Sequence, residues 1–153
     1  MDIKIYTDGA CVGNPGPGGW AAIILEGKMK KELFGGEKLT TNNRMELTAA
    51  IKALEYCFIQ KKNLFSEKKI KILTDSNYVK EGITVWINNW EKNNWKNANN
   101  KEVKNKDLWV QLLEAAKKHK IDWNWVKGHE GNEGNEIADE LATQAIINAK
   151  INQ

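Results

Sequence analysis

Acidic residues border apolar segments at four places along this chain of 153 residues. Asp8 and Asp75 each follow an apolar run that ends in threonine, in the sequences KIYTD and KILTD. Glu46 and Asp139 each lie beside the apolar face of a predicted helix. Alone, an aspartate often begins a turn, and a glutamate near a helix start is favoured by the helix dipole. The repeated Thr-Asp pattern favours a shared site instead, because ligands bind beyond the carboxyl ends of parallel strands.

Four carboxylates in one pocket would need neutralisation. Two carboxylates about 5 Å apart repel by roughly 3 kcal/mol at an effective dielectric constant near 20. Four such groups form six pairs, whose summed repulsion would exceed a typical domain's stability margin of roughly 5–15 kcal/mol. Oxygen ligands without cysteine or histidine select hard cations such as Mg²⁺ or Mn²⁺. Two such ions about 4 Å apart can activate water and stabilise the leaving oxygen in phosphodiester cleavage.

The composition is that of a globular protein, with 41% hydrophobic and 28% charged residues. The net charge is +3, but residues 52–106 carry twelve lysines against six acidic residues. This basic middle segment suits a protein that grips phosphate with one surface. The two cysteines have no metal-ligand spacing, and no signal peptide or membrane-spanning run is found. We therefore expect a cytoplasmic protein that does not act at a membrane.

Hydrophobic periodicity predicts one mixed α/β domain over residues 1–153. The predicted strands are residues 3–7, 20–25, 28–34, 69–74 and 121–126. Helices are predicted after an N-cap at Thr40 or Thr41, in two short pieces at 78–81 and 83–90, over 107–118, and in the last segment. The strands separated by helices are expected to be parallel.

Six blocks, in this order along the chain, resemble type 1 ribonuclease H, and the resemblance to the bacterial ribonuclease HI proteins is close. It covers about residues 1–148. The blocks are Tyr6–Ala10, Gly13–Trp20, Thr41–Leu47, Thr74–Ser76, Trp125–His129 and Ala138–Ala142.

The resemblance implies a ribonuclease H-like five-stranded mixed sheet flanked by helices. It implies that Asp8, Glu46, Asp75 and Asp139 bind two Mg²⁺ ions, for which Mn²⁺ can substitute, and cut the RNA strand of an RNA–DNA hybrid. The products would carry 5′-phosphate and 3′-hydroxyl ends. His129 would assist proton transfer or product release, as a titrating group in a mobile loop can. Such enzymes remove RNA from hybrids during DNA replication and repair, and we expect a monomer.

Short amide side chains are suited to reading a hybrid, because its 2′-hydroxyl groups lie in the accessible minor groove and both donate and accept hydrogen bonds. The resemblance assigns the minor groove to Asn14, Asn42 and Asn43 and a DNA phosphate to Thr41. Asn77 and Arg44 are further candidates for substrate contact. The alternative for the Asn42-Asn43 pair is helix capping, which can coexist with recognition.

The resemblance also implies a basic protrusion, at about residues 84–106, that contacts the DNA strand. The candidate contacts are Trp86, Trp90, Lys92 and Lys96, since aromatic faces and lysines together form a common nucleic-acid surface. Trp109 is predicted to be a core residue, and Trp123 and Trp125 are interpreted as structural. The extra N-terminal hybrid-binding domain of some relatives is not expected, because the chain begins at its first strand.

Two other functions remain open from the sequence. Integrases and resolvases share this type of sheet and acidic site, so a DNA strand-transfer or junction-cutting enzyme is one alternative. A non-catalytic nucleic-acid binding module on an inactivated nuclease scaffold is the other. Comparing the cleavage of duplex DNA, duplex RNA and hybrid would distinguish a strand-transfer or junction-cutting enzyme from a ribonuclease H. A cleavage assay at increasing metal concentrations would distinguish a non-catalytic binding module from it.

Overall fold

A computed structural model describes residues 2–61, 68–127 and 133–151. Within them, one five-stranded sheet has the order β3-β2-β1-β4-β5. The strands are β1 (Ile3–Cys11), β2 (Gly16–Glu26), β3 (Met29–Thr40), β4 (Lys69–Thr74) and β5 (Lys120–Trp125). The pairs β1–β2 and β2–β3 are antiparallel, whereas β1–β4 and β4–β5 are parallel. The predicted five-stranded mixed sheet is confirmed.

Helices cover both faces of this sheet. They are α1 (Asn42–Lys61), α2 (Asn77–Glu81), α3 (Ile87–Lys92), α4 (Lys106–Ala116) and α5 (Glu133–Ile151), with a π-helical turn at Gly82–Trp86 joining α2 to α3. The helices α1 and α4 contact each other, and α1 and α5 each contact β1 and β2. None of the described helices is both long and apolar enough to cross a membrane.

Helix α1 begins where the sequence predicts, because two side chains satisfy its first backbone amides. The Thr41 hydroxyl accepts a hydrogen bond from the backbone N–H of Arg44 at 3.3 Å. The side-chain oxygen of Asn14 accepts one from the backbone N–H of Asn42 at 2.8 Å. Both contacts pair amide groups that have no partner within the helix. The Asn14 contact also fixes the β1–β2 loop against the start of α1.

Three strands are longer than the sequence predicted, and one of them, β2, begins at Gly16 instead of Trp20. Strand β1 continues through Asp8 to Cys11, and β3 continues beyond Phe34 to Thr40. Strand β3 packs closely against α5 at Gly36, where a Cβ atom would lie 2.6 Å from the carbonyl oxygen of Ala145. Gly36 therefore allows α5 to pack directly on the sheet.

The main core lies between the sheet and helices α1 and α4. Its fully buried members include Ile5, Leu54, Ile72, Trp109 and Leu112, which confirms the predicted role of Trp109. A second, smaller core lies where α5 covers the sheet. The sheet is thus packed on both faces, and the ends of β1 and β4 are fixed between them.

Candidate active site

Asp8 and Asp75 lie side by side where the neighbouring parallel strands β1 and β4 stop pairing. Thr7 on β1 pairs with Thr74 on β4, so each aspartate is the next residue at the same level of the sheet. Asp75 comes directly after β4, whereas Asp8 is inside β1 and pairs with Ala21 of β2. The prediction that both strands end at Thr-Asp is therefore wrong for β1. The expected meeting of the two aspartates at one edge is nevertheless found.

Glu46 joins these two aspartates from the second turn of α1. Single carboxylate oxygens of Asp8, Glu46 and Asp75 all lie within 4.8 Å of one another. Gly9 makes this approach possible, because a Cβ atom there would lie only 2.5 Å from the carbonyl carbon of Met45. A larger side chain at position 9 would force α1 away from β1. The glycine after Asp8 thus sets the distance between Asp8 and Glu46.

Asp139, on α5, borders the same groove from the opposite face of the sheet. It lies close enough to Asp8 to hydrogen-bond with it and to add a further negative charge beside it. Asp139 does not belong to the tight group of three, although it is partly buried next to it. All four predicted carboxylates therefore converge on one groove.

Burial and like charge act together on this cluster. Burial, followed by the charge of Asp75 and contact with Asp139, raises the pKa of Asp8 to about 8. Burial, followed by the charges of Asp8 and Asp75, raises the pKa of Glu46 well above its ordinary value. Both shifts have the physical cause expected for carboxylates held together away from water. At neutral pH the cluster therefore holds protons unless cations replace them.

The residues present fit a divalent cation. The donor set consists of carboxylate oxygens alone, which suits hard ions. Oxygen Oε2 of Glu46 is buried and has no hydrogen-bond partner within the described part of the chain. A buried acceptor without a partner is costly unless something satisfies it. A cation among these oxygens would satisfy Oε2 and relieve the repulsion.

Polar residues surround the carboxylates along an open groove. Asn42 and Asn43 line it at the start of α1, and Asn77 and Tyr78 line it at the start of α2. Asn14 and Thr41 lie next to it but are engaged in capping α1. The amides predicted to read the substrate thus stand beside the acidic group, except that Asn14 reaches it through its contact with Asn42.

Arg44 occupies a position that the sequence did not indicate. Its guanidinium donates two hydrogen bonds to Asp107, from Nη1 to Oδ1 at 3.0 Å and from Nη2 to Oδ2 at 2.8 Å. A third, at 3.3 Å, goes to the side-chain oxygen of Asn105. The contact with Asp107 raises the pKa of Arg44 and lowers that of Asp107. The Arg44 charge is therefore committed to a contact within the protein.

The protrusion, residues 84–106, extends from the core on a stack of aromatic rings. Trp90 packs against the core, with ring centroids 5.3 Å from Trp109 and 5.9 Å from Trp86. The Trp86 side chain is 37% exposed, and Lys92 and Lys96 are exposed. Of the two tryptophans, Trp90 is thus the more structural, while Trp86 and the lysines face solvent.

Two features of the site were not expected from the sequence. The Tyr78 hydroxyl accepts hydrogen bonds from Asn105 and Trp109, both at 3.1 Å. Trp123 packs against the core as predicted, but Trp125 is 46% exposed, and its indole N–H donates to the carbonyl oxygen of Asp75 at 3.0 Å. No local sequence pattern indicates these contacts, because each joins residues that are far apart in the chain. His129 and the neighbouring Glu130 lie outside the described residues.

Known proteins resemble this chain in sequence and in structure. A family model described as RNase H matches residues 1–147. A ribonuclease H from Alcanivorax borkumensis is 55% identical over 152 residues, covering 99% of this chain and 96% of that relative. One from Methylococcus capsulatus is 53% identical over 144 residues, covering 94% of this chain and 88% of the relative.

Solved structures give the same result. LC9-RNase H1, a type 1 enzyme with the type 2 active-site motif, superimposes with a TM-score of 0.83 at 29% identity, covering 96% of this chain and 72% of that one. LC11-RNase H1, solved in complex with an RNA/DNA hybrid, superimposes with a TM-score of 0.74 at 25% identity, covering 97% of this chain and 99% of that one.

Proposed function

The chain belongs to the ribonuclease H family, and from this we propose that its acidic groove cuts the RNA strand of RNA–DNA hybrids with two divalent cations. Nuclease activity and a hybrid substrate follow from the family. The assignment of individual residues, the choice of ion and the number of ions are our proposal. Asp8, Glu46, Asp75 and Asp139 would be the metal ligands, and Mg²⁺ is the proposed ion, with Mn²⁺ able to replace it.

One observation carries this proposal: three acidic side chains from β1, α1 and β4 bring carboxylate oxygens within 4.8 Å of one another. Such a group is unfavourable without neutralisation, as the raised pKa values of Asp8 and Glu46 indicate. This arrangement of carboxylates does not stabilise the fold, so its presence needs a functional explanation. Metal-dependent hydrolysis provides that reason.

The residues divide the work of the reaction. When bound, two divalent cations supply an activated water and stabilise the departing 3′ oxygen. Asp8 and Asp75 would hold the cations at a fixed place relative to the sheet, because the residues that precede them, Thr7 and Thr74, are paired between β1 and β4. Glu46 and Asp139 approach from helices on opposite faces and complete the ligand set. The products keep a 5′-phosphate and a 3′-hydroxyl.

Selection of a hybrid would depend on the amides beside the carboxylates. Asn42, Asn43 and Asn77 line the groove and can donate to and accept from the 2′-hydroxyl groups of the RNA strand. Asn14 and Thr41 would support this edge and lie near a DNA phosphate. The lysines and Trp86 of the protrusion would contact the backbone of the DNA strand. His129 keeps its proposed role in proton transfer or product release.

The decisive experiment is cleavage of an end-labelled RNA–DNA hybrid, beside duplex RNA and duplex DNA of the same sequence. We expect cleavage of the hybrid alone, in Mg²⁺, and its loss when a chelator is added. Cleavage of duplex DNA would favour a junction-cutting or strand-transfer enzyme. Hybrid binding without cleavage at any concentration of Mg²⁺ or Mn²⁺ would favour the inactive binding module.

We further propose that residues 1–153 act as one catalytic domain and as a monomer. All four carboxylates come from the same chain, so the site needs no second copy. The cell's need for this activity arises wherever DNA is replicated or repaired, and we propose the cytoplasm as its location. Gel filtration combined with light scattering would test the monomer, which a dimer at working concentrations would contradict.

A further inference from the structure

Asp75 differs from Asp8 in how its backbone is held. Asp8 lies inside β1, where it pairs with Ala21 of β2. The pairing of β4 with β1 ends at Thr74, and so does its pairing with β5. Asp75 therefore lies beyond the last paired residue of its strand on both sides. Its peptide groups must form their hydrogen bonds outside the sheet, and those bonds decide its orientation.

The peptide group between Asp75 and Ser76 is held at both of its ends. Its carbonyl oxygen accepts a hydrogen bond from the indole N–H of Trp125 at 3.0 Å. Its N–H group, which belongs to Ser76, donates to the Thr74 hydroxyl at 3.0 Å. Because a peptide group is planar, these two contacts restrict rotation about the Cα–C bond of Asp75. They thereby set the direction in which the Asp75 side chain leaves the backbone.

The indole contact connects Asp75 to a neighbouring strand. Trp125 is the last residue of β5, and it pairs with Thr74 in the parallel sheet. The N–H of Val126 donates to the carbonyl oxygen of Thr74 at 2.8 Å, which fixes the backbone on either side of that pair. The indole is therefore attached to the sheet right beside the residue that it holds. Through this side chain, β5 restrains a residue that its backbone no longer reaches.

The surroundings of Trp125 indicate that the contact serves geometry more than packing. Trp125 is 46% exposed, whereas Trp123, on the same face of β5, packs against the main core. An exposed indole N–H can donate to water instead, so its bond to Asp75 contributes only modestly to stability. Its larger effect is to restrain a residue whose carboxylate oxygen lies within 4.8 Å of those of Asp8 and Glu46.

We propose that Trp125 is a positioning residue that holds Asp75 in the orientation required for metal binding. This inference rests on the proposed function, because it takes Asp75 as a metal ligand. Loss of a contact that orients a ligand commonly lowers metal affinity by roughly 10- to 100-fold. Trp125 acts through the backbone of Asp75, so the expected effect lies at the lower end of that range.

The test measures Mn²⁺ binding by Trp125→Phe, from the electron paramagnetic resonance signal of the free ion, together with kcat and KM on an RNA–DNA hybrid. Phenylalanine keeps an aromatic ring and removes the N–H donor. We expect Mn²⁺ affinity to fall by about tenfold, while KM for the hybrid at saturating Mn²⁺ stays unchanged. Replacing Trp125 with β-(3-benzothienyl)alanine, which keeps the shape of tryptophan but has sulfur in place of the N–H, should cause the same loss.

Two further variants separate positioning from packing. Trp123→Phe is the matched control, because it makes the same change two residues away on the same strand. It should lower Tm and leave Mn²⁺ affinity unchanged. In protein that already carries Asp75→Asn, Trp125→Phe should cause no additional loss of affinity, because its effect passes through Asp75.

Four results would each overturn the inference. An unchanged Mn²⁺ affinity in Trp125→Phe would leave the indole a structural role alone, and normal affinity with the benzothienyl side chain would show that shape matters instead of the N–H. A rise in KM without a change in affinity would make Trp125 a substrate contact. An additional loss in the Asp75→Asn protein would place its effect elsewhere. A protein that binds Mn²⁺ but cuts no hybrid would instead overturn the proposed function.

Discussion

The acidic site and the protrusion hold opposite charges in opposite surroundings. Asp8 and Glu46 are each 4% exposed, whereas Lys92 and Lys96 project into solvent. The acids are forced together by paired strands and a glycine, and the protrusion is held by stacked rings and amide contacts. Buried like charges repel strongly and need neutralisation, while exposed charges interact weakly and are screened by salt. The rate of the chemical step should therefore depend on the acidic site, and the affinity for substrate should depend on the protrusion.

The largest expected effect tests whether the acidic site alone carries the chemistry. Asp75→Asn or Asp8→Asn should lower kcat by at least about 10³-fold, because each removes a ligand that provides several kcal/mol of transition-state stabilisation. Circular dichroism should show an intact fold. Asp122→Asn, an exposed aspartate on β5 of the same sheet, is the control and should keep full activity. Substantial turnover by Asp75→Asn in Mg²⁺ would contradict the site assignment.

A second prediction concerns the glycine that brings Asp8 and Glu46 together. Gly9→Ala should lower kcat by roughly tenfold or more and cost about 1–3 kcal/mol of stability, because the added methyl group pushes α1 from β1. Gly36→Ala is the matched control, since its Cβ would lie 2.6 Å from the carbonyl oxygen of Ala145, away from the site. It should cost similar stability and leave kcat of the folded protein unchanged. Equal kcat in the two variants would show that Gly9 only serves packing.

A third prediction uses pH to compare an acid in the site with one beside the protrusion. Because the pKa of Asp8 is raised from 3.8 to about 8, the metal-free folded protein holds a proton that the unfolded chain releases above pH 3.8. Stability therefore falls as pH rises from about 4 to 8. Asp8→Asn should raise Tm at pH 8 by roughly 5 °C, or about 2 kcal/mol for a domain of this size, with little gain at pH 4.

Asp107→Asn should show the opposite sign. Contact with Arg44 lowers the pKa of Asp107, so its contribution to stability is present above the ordinary aspartate pKa and is lost as pH falls below it. This variant should have a lower Tm at pH 8 and an unchanged Tm in strong acid. Thermal melts in chelator across this pH range check both variants. If Asp8→Asn had a lower Tm at pH 8 than the unmodified protein, the electrostatic account of the site would be contradicted.

The smallest expected effect concerns the exposed lysines. Lys92→Ala or Lys96→Ala should raise KM a few-fold at low salt, leave kcat unchanged, and reduce the slope of log KM against log salt concentration by about 1 for each lost phosphate contact. Lys28→Ala, in the exposed β2–β3 turn, is the control. An effect on kcat, or a salt slope equal to that of the unmodified protein, would exclude these lysines from phosphate binding.

The sequence revealed the parts of this molecule that repeat a local pattern. The Thr-Asp ends of two apolar runs were enough to predict that Asp8 and Asp75 meet, because strand alternation and parallel pairing are regular. The sequence narrowed the cap of α1 to Thr40 or Thr41, because threonine is a common N-cap, and the structure shows that Thr41 accepts the hydrogen bond from Arg44. The connection from Arg44 to Asp107 could not be predicted, since it joins residues 63 positions apart and depends on how two helices pack. The packing role of Gly36 could not be predicted either, because it depends on the position of α5.

The pairing of Thr7 with Thr74 has a consequence for how such a site can vary. Asp8 and Asp75 directly follow this pair on adjacent strands, whose spacing of about 4.8 Å is set by backbone hydrogen bonds and is nearly the same in every sheet. Substitutions in the core can shift Glu46 and Asp139 with their helices, but they leave the separation of the two strand backbones unchanged. The separation of Asp8 and Asp75 should therefore change little when core residues are substituted. Adaptation of the site to an ion of another size would have to come from movements of the helices that carry Glu46 and Asp139.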